Sequence, residues 1–214
     1  MSGSKRVILL DDDPAMRRSL SLALELAGYQ VQAHGSAEDL FEALEPEQPG
    51  CLVLDLKMPG LDGLAVQEEL HARGCTLPVI FISAFGDIPT TVRALKAGAV
   101  DFIEKPFSTE TLVARVEEAL AQDRHQRDQN GERARIAQRV RELTPREFEV
   151  MQWVTGGLSN KEIARELAIS PRTVEKYRAR VMEKMRAESI AALCQMVATA
   201  ADAVTSVQHS GSNG

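Results

Sequence analysis

Four short apolar runs, each closed by charged or hydroxyl-bearing residues, constrain the first half of this chain more than any other feature. Val7-Ile8-Leu9-Leu10 ends in Asp11, Asp12 and Asp13. Cys51-Leu52-Val53-Leu54 ends in Asp55, Val79-Ile80-Phe81-Ile82 ends in Ser83, and Val100-Asp101-Phe102-Ile103 leads to Lys105-Pro106. Runs of this length and composition are the pattern of strands buried on both faces of a parallel sheet. Helical patterns lie between them. The spacing predicts strands near 6–11, 30–34, 51–55, 78–83 and 100–103, and helices near 14–28, 36–45, 62–73, 87–97 and 108–122. A β-α unit repeated five times implies an α/β domain with a doubly wound, five-stranded parallel sheet. Ligands of such sheets bind outside the carboxyl ends of the strands. The carboxylates, the hydroxyl and the ammonium are therefore expected to converge at one edge.

Local chemistry supports these boundaries. Asp13-Pro14 places a cap residue before a proline suited to the first helical position. Ser36 with Asp39 and Ser108 are further caps, and Gly28, Gly74 and Gly98 stand where helices should stop. This first domain is expected over 1–122. Residues 123–142 are rich in Arg, Gln, Glu and Asp, contain Asn130-Gly131, and read as a partly helical linker. A small all-α domain is expected over 143–208. Thr144-Pro145-Arg146-Glu147 and Ser159-Asn160-Lys161-Glu162 are capping boxes that open two short helices. Ala168-Ile169-Ser170 makes a turn, Pro171 starts a third helix to about Met185, and a fourth runs from about Ser189 to Val204. Two helices joined by a three-residue turn, the second of them longer, form a helix-turn-helix pattern. The tail, 209–214, is expected to be disordered.

The chain has 214 residues, enough for two ordinary domains. Its net charge of −6 hides an asymmetry. Residues 1–121 carry ten Lys and Arg against nineteen Asp and Glu, whereas 122–189 carry fifteen against eleven. The acidic half suits a cation, and the basic half permits nucleic acid. No apolar stretch is long enough to span a bilayer, and Met1–Arg6 leads directly into a strand without the pattern of a signal peptide. Cys51, Cys75 and Cys194 are widely separated and odd in number, as expected of reduced thiols in a cytoplasmic protein.

Asp11, Asp12 and Asp55 are oxygen donors suited to Mg2+, which prefers a few carboxylates, waters and a phosphate oxygen. An ionised Asp is also a competent nucleophile toward a phosphoryl group. Asp55 stands alone at its strand end, whereas the adjacent Asp11 and Asp12 repel each other without a cation and look like its holders. Lys105 would neutralise phosphoryl oxygens, and the Ser83 hydroxyl would donate to one.

The order Asp11-Asp12, Asp55, Ser83-Ala84, Lys105-Pro106 resembles the receiver domain of two-component response regulators, over about residues 4–122. The resemblance implies a flavodoxin-like fold and an Asp55 that accepts phosphate from a sensor histidine kinase. It further implies Mg2+ held by Asp12, Asp55 and the Lys57 carbonyl directly and by Asp11 through water. Ser83 and Lys105 become the phosphate-sensing pair, Lys105-Pro106 a cis bond, and Phe102 an aromatic switch beside Ser83. On the residues alone, Phe102 is a core side chain.

In the third helix of the second domain, Val174, Tyr177, Val181 and Met185 recur at helical spacing and should face the core. Arg172, Glu175, Lys176, Ala179, Arg180 and Glu183 lie around the other sides, flanked by Arg178 and Lys184. Such a helix fits the major groove, where Lys and Arg meet phosphates or guanine edges. The stretches Leu143-Thr144-Pro145-Arg146-Glu147, Gly156-Gly157-Leu158-Ser159-Asn160-Lys161-Glu162-Ile163-Ala164 and Ile169-Ser170-Pro171-Arg172-Thr173-Val174 resemble a LuxR-type DNA-binding domain. That resemblance implies DNA contacts from Asn160, Lys161, Arg172, Thr173, Glu175, Lys176, Ala179, Arg180 and Lys184. The chain departs from many relatives at Tyr177 and Arg180, where they carry His and Asn.

Together the two halves resemble a FixJ-like response regulator. The implied protein is a cytoplasmic, non-enzymatic transcription regulator that dimerises on phosphorylation and binds roughly palindromic promoter DNA, with RNA polymerase as a further partner. Two other classes fit parts of the pattern. A Mg2+-dependent phosphohydrolase would use the acidic pocket, but Asp55 lacks an Asp-x-Asp pair and no cap insertion is evident. A switch whose helical domain binds protein instead of DNA would share the receiver.

Overall fold

A computed structural model describes residues 5–45, 47–84 and 88–201, with side chains throughout except at 88–91. The chain forms two compact units, Met1–Arg127 and Asp128–Gly214. In the first, strands β1 (Arg6–Leu10), β2 (Gln30–His34), β3 (Cys51–Asp55), β4 (Val79–Ser83) and β5 (Asp101–Glu104) alternate with helices α1 (Pro14–Leu26), α2 (Ala37–Ala43), α3 (Gly63–Ala72) and α4 (Ile88–Lys96), and α5 (Thr109–Arg141) follows. The strands form one parallel sheet in the order β2-β1-β3-β4-β5. Its register matters for function: Leu10 pairs with Leu54, Asp55 with Ile82, and Ser83 with Glu104. The carboxyl ends of β1, β3, β4 and β5 thus lie side by side.

The continuous apolar runs become intelligible here. Successive residues of a strand point to opposite faces, and both faces are covered. Ile8, Leu10, Leu52, Leu54 and Phe81 pack with Leu40, Val66, Leu70 and Ala94 from α2, α3 and α4. Val7, Leu9, Val53, Ile80 and Ile82 pack with Leu20 and Leu24 of α1 and Leu112, Val116 and Ala119 of α5. Full burial of one such side chain contributes about 1.5–3 kcal/mol. Asp13, Ser36 and Asp62 cap α1, α2 and α3. Gly63 is obligatory where α3 starts: a Cβ there would lie 2.6 Å from the Asp55 carbonyl oxygen and 2.9 Å from the Phe81 ring.

The segment expected as a partly helical linker is helical almost throughout. Helix α5 continues unbroken to Arg141, with Asn130 and Gly131 inside it. Glycine in a helix interior costs about 1 kcal/mol, and tertiary anchors offset it. Asp123 is 4 % exposed; its carboxylate accepts from the Gly50 N–H at 3.1 Å and from Arg127 Nε at 2.8 Å. Arg127 also donates to the Glu47 and Gln48 carbonyls. The first unit therefore extends past residue 122. Likewise the second begins before 143, because Ile136 and Val140 belong to its core.

In the second unit, α6 (Pro145–Thr155), α7 (Asn160–Glu166), α8 (Pro171–Met185) and α9 (Ile190–Thr199) surround Phe148, Met151, Ile163, Val174, Val181, Met185 and Leu193. Both capping boxes form with reciprocal hydrogen bonds. Ala168, with φ of 52°, turns the chain between α7 and α8. The last helix, expected to about Val204, ends at Thr199 with Ala200 as its C-cap; the tail lies outside the described residues.

Candidate functional site

The acidic residues assemble as the register requires. One carboxylate oxygen from each of Asp11, Asp12 and Asp55 lies within 4.8 Å of the other two. Asp11 is 1 % exposed, Asp55 is half-buried and Asp12 is open to solvent. Lys105 Nζ lies between carboxylates, 3.3 Å from Asp55 Oδ2 and 3.4 Å from Asp11 Oδ2. Asp11 Oδ1 accepts the Asp13 N–H at 2.9 Å, and Asp55 Oδ1 accepts the Lys57 N–H at 3.4 Å. Burial pushes the Asp11 carboxyl above its ordinary range, against the pull of the Asp13 N–H and Lys105; the charge on Asp55 adds to the push. A cluster so crowded with negative charge is matched to a hard divalent cation, and its all-oxygen donor set suits Mg2+. Ser83 is buried at the end of β4, and its carbonyl accepts the Lys105 N–H at 2.7 Å. Phe102 is half-buried, pairs in register with Phe81 and packs on the core beneath the pocket. The Lys105-Pro106 peptide is cis.

In the second unit, Val174, Val181 and Met185 are buried and Tyr177 packs against them. The opposite surface of α8 presents Arg172, Glu175, Lys176, Ala179 and Arg180 to solvent. Thr173 is half-buried, with its hydroxyl 2.8 Å from that of Ser170, the α8 cap. Lys161 is exposed at the start of α7, whereas the side-chain oxygen of its neighbour Asn160 accepts from Arg178 of α8. An open cationic helix face, preceded by a short helix and a tight turn, has the form of a major-groove reader.

Two family models match the chain: the response regulator receiver domain over residues 7–117, and the luxR family of bacterial regulatory proteins over residues 141–197. The chain belongs to the response regulators that carry a LuxR-family DNA-binding domain. This response regulator is 43% identical to the transcriptional regulatory protein FixJ of Azorhizobium caulinodans, across 92% of its own length and 93% of that protein's. Among solved structures it is similar to the response regulator StyR, with a TM-score of 0.81 at 40% identity, covering 92% of this chain and 98% of that one. Full-length FixJ from B. japonicum matches with a TM-score of 0.58 at 42% identity, covering 94% and 98%. The protein is a two-component transcriptional regulator. No described helix is long and apolar enough to cross a membrane.

One residue expected to meet DNA has a partner inside the protein. Lys184 does not join the outward face of α8. Its ammonium lies 2.6 Å from Glu147 Oε2 and 3.0 Å from the Glu142 carbonyl oxygen. Glu147 is 2 % exposed and also accepts the Thr144 N–H, so its charge needs an internal partner. Burial pushes the Glu147 carboxyl up, but the bonds from Lys184 and Thr144 outweigh it and hold the carboxyl below its usual range. A depressed carboxyl stabilises the fold above its unfolded-state pKa, and that contribution is lost as pH falls through the folded-state value. Lys184→Met is expected to lower the stability of the second unit by about 2 kcal/mol at neutral pH, and by progressively less as the pH falls below the ordinary carboxylate range and through the depressed folded-state value. Denaturant unfolding followed through Trp153, the single tryptophan of the chain, measures both. Equal stability at neutral pH would refute the structural role. Sequence reasoning also passed over Asp123, Arg127 and Arg17, which were indistinguishable from solvated charges.

Proposed function

We propose that this response regulator is switched by phosphorylation of Asp55. Lys105 Nζ, poised within 3.4 Å of both Asp55 and Asp11 beside three convergent carboxylates, is the observation that carries this reading. The donor is the phosphohistidine of a sensor kinase. An Asp55 carboxylate oxygen attacks phosphorus, the N–P bond breaks, and its electron pair returns to the imidazole. Asp12, Asp55 and the Lys57 carbonyl would hold Mg2+, with Asp11 beside them, and the ion, when bound, would supply positive charge against the reacting oxygens. Lys105 and the Ser83 hydroxyl then bind the new phosphoryl oxygens, drawing Ser83 toward the pocket. Phe102, on the same sheet face as Ser83 by its register, fills the space so released. The face formed by α4, β5 and α5 changes with it and pairs with a second protomer.

Paired readers bind roughly palindromic promoter DNA. Two linked readers gain from effective concentration without new base contacts. Arg172, Thr173, Glu175, Lys176, Ala179 and Arg180 of α8 face the groove, and Asn160 and Lys161 of α7 lie near the backbone. The protein acts in the cytoplasm, works with RNA polymerase, and turns over no separate substrate. Sedimentation at several concentrations, paired with DNA titration, tests the cycle: phosphorylation should raise the dimer fraction and the DNA affinity together. Tighter DNA binding with an unchanged monomer fraction would refute the dimer route.

The groove assignment has its own expected outcome. Lys176→Ala should relax preference at one base position by about 1–3 kcal/mol. Arg180→Ala should weaken all sequences alike and reduce the slope of log affinity against log salt by about one. Salt titrations on matched and scrambled sites separate the two, and two variants that match the wild type would exclude α8 as the reader.

A further inference from the structure

Arg17 lies on α1, outside the set of residues that would hold or sense the phosphoryl group. Its Nη1 donates to two successive backbone carbonyls, Asp11 at 2.7 Å and Asp12 at 2.9 Å. The same loop is tied to the start of α1 in other ways. The Asp13 carboxylate accepts the Ala15 N–H at 2.8 Å, and the Asp13 carbonyl accepts the Arg17 N–H at 2.9 Å. On its other side the guanidinium lies against Gly35, just past the end of β2. A Cβ at Gly35 would stand 3.2 Å from Cζ, Nη1 and Nη2 alike. That is closer than carbon and nitrogen normally pack, so glycine gives the planar group room to lie flat.

We propose that Arg17 is a positioning residue for the cation site: it clamps the backbone of the Asp11-Asp12 doublet, and Gly35 leaves the space for the clamp. The inference rests on the Mg2+ reading above. Its physical content is a balance of two opposed effects. The three carboxylates repel one another, and the exposed Asp12 has the freedom to turn away from Asp55. Two hydrogen bonds from a charged donor to the carbonyls hold the loop in the one conformation that keeps the carboxylates together. A guanidinium near the site also repels a dication through space. Charge alone therefore makes Arg17 unfavourable for Mg2+ binding, and only its geometric role makes it favourable. The sign of the effect decides between them.

Calorimetric titration of the unphosphorylated full-length protein with Mg2+ is the test. Arg17→Met should weaken Mg2+ binding about tenfold, the usual scale for residues that orient metal ligands. Arg17→Lys keeps the charge and one donor direction, and should fall between the variant and the wild type. Gly35→Ala keeps every charge but displaces the guanidinium, and should also weaken binding. Saturating Mg2+ should restore phosphorylation of Arg17→Met by an acyl phosphate, which a merely unfolded pocket would not allow. Binding by Arg17→Met as tight as or tighter than wild type, with its thermal unfolding unchanged, would overturn the proposal. If Arg17→Met does not fold, wild-type affinity in both Arg17→Lys and Gly35→Ala overturns it instead. A wild-type protein that binds no Mg2+ would fail the cation reading itself, and the clamp with it.

Discussion

Asp55→Asn is expected to reduce phosphate acceptance to background while leaving the fold of the first unit unchanged. Asp55 closes β3, where Gly63 lies directly behind its carbonyl and Lys105 Nζ lies 3.3 Å in front of its carboxylate. The carboxamide has nearly the same shape, so it fits the same space and keeps an oxygen for Lys105 to bond. It lacks the ionised oxygen that attacks phosphorus. The substitution also removes one of three repelling charges, so thermal stability should stay level or rise slightly. Acid-labile phosphate after incubation with a phosphodonor is the measurement. Its appearance on the variant at the wild-type rate would move the acceptor elsewhere. The same variant should lose the phosphorylation-dependent gain in DNA affinity without losing basal DNA binding, because α8 belongs to the other compact unit.

Removing Mg2+ should have an effect of similar size. Asp11, Asp12 and Asp55 place oxygens within 4.8 Å of one another, and Lys105 supplies a positive charge between only two of them. An incoming phosphoryl group brings further negative charge into this site. Excess chelator should therefore abolish transfer to Asp55, and added Mg2+ should restore it. Asp12→Ala should imitate chelation, since Asp12 is the solvent-facing member and does not share Lys105. Its loss should leave the core intact, as its side chain is not packed there. Undiminished transfer in chelator would exclude the metal-dependent mechanism, and an Asp12→Ala protein with wild-type Mg2+ dependence would remove Asp12 from the site.

Much of this molecule was legible in its sequence because the relevant physics is short-ranged. The runs Val7–Leu10, Cys51–Leu54 and Val79–Ile82 declare doubly buried strands through composition alone. Their closing residues reach one edge because parallel strands share a direction. Thr144 with Glu147, and Ser159 with Glu162, bond across three positions and so announce their helices directly. Tertiary structure decided the remainder. Lys184 looked like part of a solvated cationic face, yet its partner Glu147 lies 37 positions earlier. Asp123 and Arg127 looked like linker charges, yet they tie α5 to a loop whose Gly50 is 73 positions away. Arg17 is six residues from Asp11, but only the turn of the loop and the proximity of Gly35 aim its guanidinium at two carbonyls. A hydrophobic period reveals which face of an element is buried, since burial follows from that element's own pattern. Which partner a charge finds depends on where another element comes to lie, and the assembled core sets that.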